Sequence, residues 1–224
     1  MKIIFLIILF PSFLFSQSEF IENDDFGISG GYTFSKNNIS NSSTLDFVFT
    51  ALGVVDIGFQ IGSGKLDNEY SSSSYNSSAN LVYAAYNVKR RNNNLVLKIL
   101  AGYYSGSVKS SQSTEFSSSG LLLGLGVYPR IIKVKQLSMR IALELSYGFL
   151  STSSDGGYFR DDSQFDNSRT ISLGINWLVD VTKNFHFVVS PFVSKDLMQS
   201  ENSFYYGING RLLLSFEAAD NTYK

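Results

Sequence analysis

Residues Leu137 to Phe149 read LSMRIALELSYGF and alternate without a fault. Leu137, Met139, Ile141, Leu143, Leu145, Tyr147 and Phe149 share one parity; Ser138, Arg140, Ala142, Glu144, Ser146 and Gly148 share the other. Side chains of a β-strand point to opposite faces in turn, so this stretch is a strand with one greasy and one polar face. A helix would mix the two sets. The apolar face is long enough to cross a bilayer, since a tilted transmembrane strand needs only about 9 to 11 residues. An Arg and a Glu on the opposite face suit a polar barrel interior better than a dry core.

The same period recurs along the chain. Phe26, Ile28, Gly30, Tyr32 and Phe34 oppose Gly27, Ser29, Gly31, Thr33 and Ser35. Leu45, Phe47, Phe49 and Ala51 oppose Asp46, and Ile57, Phe59 and Ile61 oppose Gly58, Gln60 and Gly62. Val54 to Asp56 reads as the reversal between them. Ala79 to Lys89 extends again with two faces of similar character. Leu95 to Tyr103, Leu121 to Arg130, Ile171 to Val179, Phe185 to Lys195 and Phe204 to Phe216 bring the count to ten segments. Polar stretches (KNNISNSS, DNEYSSSSYNSS, SGSVKSSQSTEFSSS and Ser151 to about Asn167) alternate with short reversals, and composition assigns those stretches to loops. Short turns on one side, long loops on the other and an even strand count describe an all-β, closed up-and-down antiparallel transmembrane β-barrel. Ten strands is the primary reading and eight the alternative.

Met1 to Ser16 opens with Lys2 and runs through the apolar Ile3 to Phe10 to Ser16, the layout of a signal peptide, with cleavage expected after Ser16. The remainder, 17–224, is expected to be one barrel domain. The chain has no cysteine, which excludes disulfides, thiolate catalysis and lipidation at a cysteine. A formal net charge of -1 gives no basic field for nucleic acid. No later stretch supplies about 20 consecutive apolar residues, so a helical membrane protein is excluded.

These residues resemble the small outer-membrane β-barrel proteins of Gram-negative bacteria, the porin-like superfamily. The most specific parts are the leader ending FLFSQ, the first strand GYTFS and the closing strand YYGINGRLLLSF. The resemblance implies a cell outer membrane location, contact with outer-membrane lipid, insertion by the barrel assembly machinery through a terminal aromatic, and a monomer. Phe216 takes that terminal place, although Glu217 to Lys224 follow it.

Two sets of site residues follow from strand parity. Asp46, Lys98, Arg130, Arg140, Glu144 and Arg211 are expected to face the lumen as a charged network that acts as struts or, alternatively, sets the selectivity of a narrow channel. Tyr32, Tyr103, Tyr147, Phe149 and Tyr206 are expected in an outer aromatic girdle, with Trp177 and Phe216 in an inner one. No cofactor or metal site is expected, because the acidic stretch DGGYFRDDSQFDN lacks the spacing of a calcium loop. Ten-stranded barrels resemble the omptin proteases, which use acids and a histidine at the outer rim. The single histidine here, His186, falls at the periplasmic end, remote from Asp155, Asp161, Asp162 and Asp166, so catalysis is not expected. The Ser-rich loops could contact a surface ligand. The competing reading is a soluble lipocalin-like barrel, which requires Ile141 and Leu143 inside and Glu144 outside.

Overall fold

The computed structural model describes residues 20–21, 25–37, 40–67, 74–89, 94–110, 115–155, 164–198 and 204–217. The expected signal peptide and its cleavage site lie outside these residues. Ten antiparallel strands, β1 (Phe26–Lys36), β2 (Ser40–Ala51), β3 (Val55–Asp67), β4 (Ser74–Lys89), β5 (Leu95–Ser110), β6 (Glu115–Val134), β7 (Leu137–Asp155), β8 (Gln164–Asp180), β9 (Phe185–Asp196) and β10 (Phe204–Phe216), pair in chain order. β1 closes on β10, so the sheet has no free edge. Closure is what lipid demands, because hydrocarbon offers an unpaired backbone no partner.

The stagger follows from the register. The cross-strand row that leaves β4 at Val88 passes Leu97, Val127, Leu143, Leu173, Val193, Tyr206, Lys36, Asn41 and Lys65 and returns to β4 at Asn76. One circuit therefore climbs 88 − 76 = 12 residues. With ordinary strand rise and spacing, a stagger of that size over ten strands tilts each strand by roughly 40° and gives a backbone radius of roughly 10 Å. Side chains from opposite walls meet in a cylinder of that width.

The greasy face is outside. Leu143 is 46% exposed and Glu144 is 2% exposed, which excludes the soluble carrier. Along the strands exposed outward residues alternate with buried inward ones, as in the β1 and β2 burial patterns. The two faces of β4, similar in sequence, separate in the structure: Leu81, Tyr83, Ala85 and Asn87 point in, and Val82, Ala84, Tyr86 and Val88 point out.

Three expectations are corrected. The Ser-rich stretches are largely strand: β5 runs to Ser110, β6 starts at Glu115 and β7 runs to Asp155. Register explains why. Ser43, Ser63, Ser78, Ser107, Ser117 and Ser153 form one continuous cross-strand row on the outer surface. Hydroxyls within it pair at 3.3 Å (Ser43 with Ser63, Ser78 with Ser107) and 2.8 Å (Ser117 with Ser153). Cross-strand pairing thus carries the ladder past the apolar belt. Second, the first reversal is Leu52–Gly53, with φ of 54° and 60°, closed by the Val54 N–H donating to the Ala51 carbonyl at 3.0 Å. Asp56, read as part of that turn, is inside β3 and buried. Third, the lumen is not uniformly polar. Val48, Leu81, Tyr83, Leu100, Tyr104, Leu122 and Leu150 make an apolar cluster on one side of it.

Two positive φ angles make Leu52–Gly53 a tight primed turn, whose first position favours Asn over Leu. A left-handed non-glycine residue costs about 1 to 2 kcal/mol, and Asn tolerates it best. Leu52→Asn is therefore expected to raise stability by up to about 1 kcal/mol, seen as a higher urea midpoint for refolded protein in vesicles.

Candidate functional site

The lumen charges are organised by glycine. On three adjacent strands Asp46, Gly31 and Arg211 lie in one row. The central glycine leaves the space in which the flanking side chains meet, with Arg211 Nη2 donating to Asp46 Oδ2 at 2.6 Å. A methyl group on Gly31 would stand 2.5 Å from Asp46 Oδ1. On the other side Lys98, Gly126 and Glu144 repeat the pattern on β5, β6 and β7. Here the Tyr128 ring lies over Gly126, its hydroxyl donates to Glu144 Oε1 at 2.5 Å, and Lys98 Nζ stands 5.1 Å from the ring centroid. Tyr83 folds over Gly58 in the same manner.

Of the six charged residues read from parity, Asp46, Lys98, Arg140, Glu144 and Arg211 are buried in the lumen. Arg130 is half-buried at the periplasmic mouth, where the β6–β7 register shifts between Arg130 and Ile132. The charges form local groups: Asp46 with Arg211, Lys98 with Glu144 through Tyr128, and Arg140 donating from Nη1 to the Tyr128 carbonyl at 3.0 Å. Sequence reasoning missed a fourth group near the mouth. Asp56 accepts from Thr50 Oγ1 at 2.6 Å and from Asn87 Nδ2 at 3.3 Å. Asn209, which the same parity places inward beside Arg211, donates to Thr33 Oγ1 at 2.6 Å. Glycines at small-residue positions opposite a charge or a tyrosine were the available signal.

The chain before β1 enters the mouth. Ile21 is buried against Leu178, Val188 and Leu213, with Phe20 beside it. Lys89 Nζ donates to the Ile21 carbonyl, and the Arg140 guanidinium stands 5.8 Å above the Phe20 ring. Below lies a cavity of about 480 Å³ lined by, among others, Arg130, Lys133, Asp180, His186 and Ser215. His186 bonds Asp180 through Nδ1 at 2.6 Å and Ser215 through Nε2 at 2.9 Å, tying together β8, β9 and β10. Both ring nitrogens are thereby engaged at the periplasmic end.

The aromatic residues sort by height once tilt is included, each residue along a strand rising roughly 2.5 Å and each strand step along a row roughly 3 Å. Tyr103, Tyr147 and Tyr206 then share one level to within about 1 Å, and Phe26, Phe185 and Phe216 share another about 24 Å below. That separation matches the roughly 25 Å apolar band of an outer-membrane barrel. Tyr32 lies about 7 Å inside the outer level, Phe149 about 5 Å beyond it, and Trp177 about 7 Å inside the inner one.

Among solved structures the chain is similar to the translocator domain of the autotransporter NalP from Neisseria meningitidis, with 12% identity, a TM-score of 0.56, and 90% of this chain and 91% of that one covered. It is also similar to the β-domain of the Bordetella autotransporter BrkA, with 9% identity, a TM-score of 0.52, and 86% of this chain and all of that one covered. Identities this low speak for the fold alone. No family model and no curated protein sequence matches the chain. A closed antiparallel barrel of this kind, wrapped in an apolar band between two aromatic levels, is an integral outer-membrane β-barrel.

Proposed function

We propose that this barrel is a closed structural and surface-contact protein, with its working surface on the polar extracellular rim and no solute path through its centre. The observation that carries the reading is the filled lumen. Arg140, Tyr104, Tyr128, Lys98 and Leu122 are wholly buried inside it, and Phe20 and Ile21 occupy the mouth. A conducting barrel needs a continuous wet path, and paired charges packed against tyrosines and leucines leave none. Export by residues 1–16, insertion through a closing strand that ends on Phe216, and a monomeric state belong to the same proposal. Asp180, His186 and Ser215 act in it as a strut that ties β8, β9 and β10 together at the mouth.

Planar-bilayer recording tests the reading. Wild-type protein is expected to give no steady conductance, whereas Phe20→Gly combined with Arg140→Gly, which removes two of the side chains that fill the lumen and its mouth, is expected to give discrete current steps. Steady wild-type current would replace this proposal with the narrow-channel alternative.

A further inference from the structure

On the outer surface, Lys36 of β1, Arg169 of β8 and Lys195 of β9 all point outward. Placed by register and tilt, they lie within about 2 Å of a common level, some 2 to 3 Å above the level of Tyr103, Tyr147 and Tyr206. At that level the rest of the circumference is neutral: Ser43, Ser63, Asn80, Ser105, Leu121 and Phe149 stand on β2 to β7. Among the described residues no outward position of β8, β9, β10, β1 or β2 carries a carboxylate. Among the described residues, therefore, the cations at this level lie on one side of the cylinder, and no outward carboxylate stands beside them.

Their surroundings are built for a lipid. Arg169 stands 5.2 Å from the centroid of the Tyr147 ring and Lys195 Nζ 4.9 Å from that of Phe204. Resting on aromatic faces, the cations are held at the headgroup level. Directly beneath lie Ile171, Val193, Ile208 and Phe34, all exposed. Acyl chains fit against that strip, and anionic headgroup oxygens fit against the cations above it. A soluble anion would use only the upper half of the surface.

We propose that this side of the barrel binds a phosphorylated, sugar-headed lipid of the outer leaflet, with Lys36, Arg169 and Lys195 contacting its phosphates and the strip below contacting its acyl chains. The inference rests on the outer-membrane location and is independent of whether the lumen conducts. Lys36 on β1 and Arg169 on β8 stand three strands apart on a convex wall, so the cations reach separate phosphates of one headgroup rather than a single one, each through charge-assisted hydrogen bonds in a region where lipid lowers the dielectric.

The test uses full-length protein in phosphatidylcholine nanodiscs, with a bisphosphorylated diglucosamine lipid as the probe and retention in native mass spectrometry as the readout. Wild-type protein is expected to retain the probe. Retention should fall at least tenfold for the dephosphorylated probe and for the Lys36→Gln, Arg169→Gln, Lys195→Gln variant, while Lys133→Gln with Lys135→Gln at the periplasmic rim leaves it unchanged. A heat-modifiability gel confirms that each variant is a folded barrel. Retention by the triple variant within twofold of wild type overturns the proposal. So does equal competition by phosphatidylglycerol, or displacement of the probe by millimolar inorganic phosphate.

Discussion

Replacing Arg211 by Met is expected to cost the barrel about 3 to 5 kcal/mol, the usual penalty for stranding one partner of a buried ion pair. Asp46 and Arg211 are both buried, and their 2.6 Å contact spans a strand that offers only Gly31 between them. Without Arg211, Asp46 loses its counter-charge in a space that water can scarcely enter. The cost should largely disappear in Asp46→Leu with Arg211→Met, because an apolar pair of similar volume replaces a buried ion pair at little or no loss. Urea unfolding in lipid vesicles, followed by the heat-modifiable gel shift and by Trp177 fluorescence, measures both. A double variant as unstable as the single one would show that the charges do more than balance each other.

Leu143→Arg should destabilise the inserted barrel by about 2 to 4 kcal/mol, the cost of an arginine on the lipid face near the bilayer midplane. Leu143 points outward from β7 and lies within about 3 Å of the midpoint between the two aromatic levels. Phe149→Arg, on the same strand and face but beyond the outer level, should cost no more than about 1 kcal/mol. The ratio between the two costs, read from urea titrations in the same vesicles, reports depth independently of any structure. Equal costs would mean that the belt does not lie where tilt and register put it.

The architecture was legible because a half-greasy strand carries its period in the sequence: ten segments, their order and the outward face of all but β4 follow from parity alone. β4 was opaque because Leu81, Tyr83 and Ala85 inside match Val82, Ala84 and Tyr86 outside in character. The Ser-rich stretches were read as loops because Ser and Asn are turn formers, yet a neighbouring strand supplied each with a hydroxyl partner, and that contact is invisible before register is known. For the same reason parity picked out Asp46, Gly31 and Arg211 separately but could not put them in one row. Phe20 and Ile21 carry no periodic signal, and only the shape of the mouth explains their burial.

The unequal reach of the strands has a mechanical consequence. β6 and β7, at 20 and 19 residues, continue well past the aromatic level, and the six residue steps from Phe149 to Asp155 alone add about 15 Å of height. Whatever chain follows Asp155 therefore starts from a raised pedestal on one flank of the cylinder, at a fixed standoff from the outer aromatic level. A folded partner arriving from outside would meet that parapet before it could touch the lower flank formed by β1 and β10. Recognition at this surface would be sided, and the geometry of the wall would set the angle of approach.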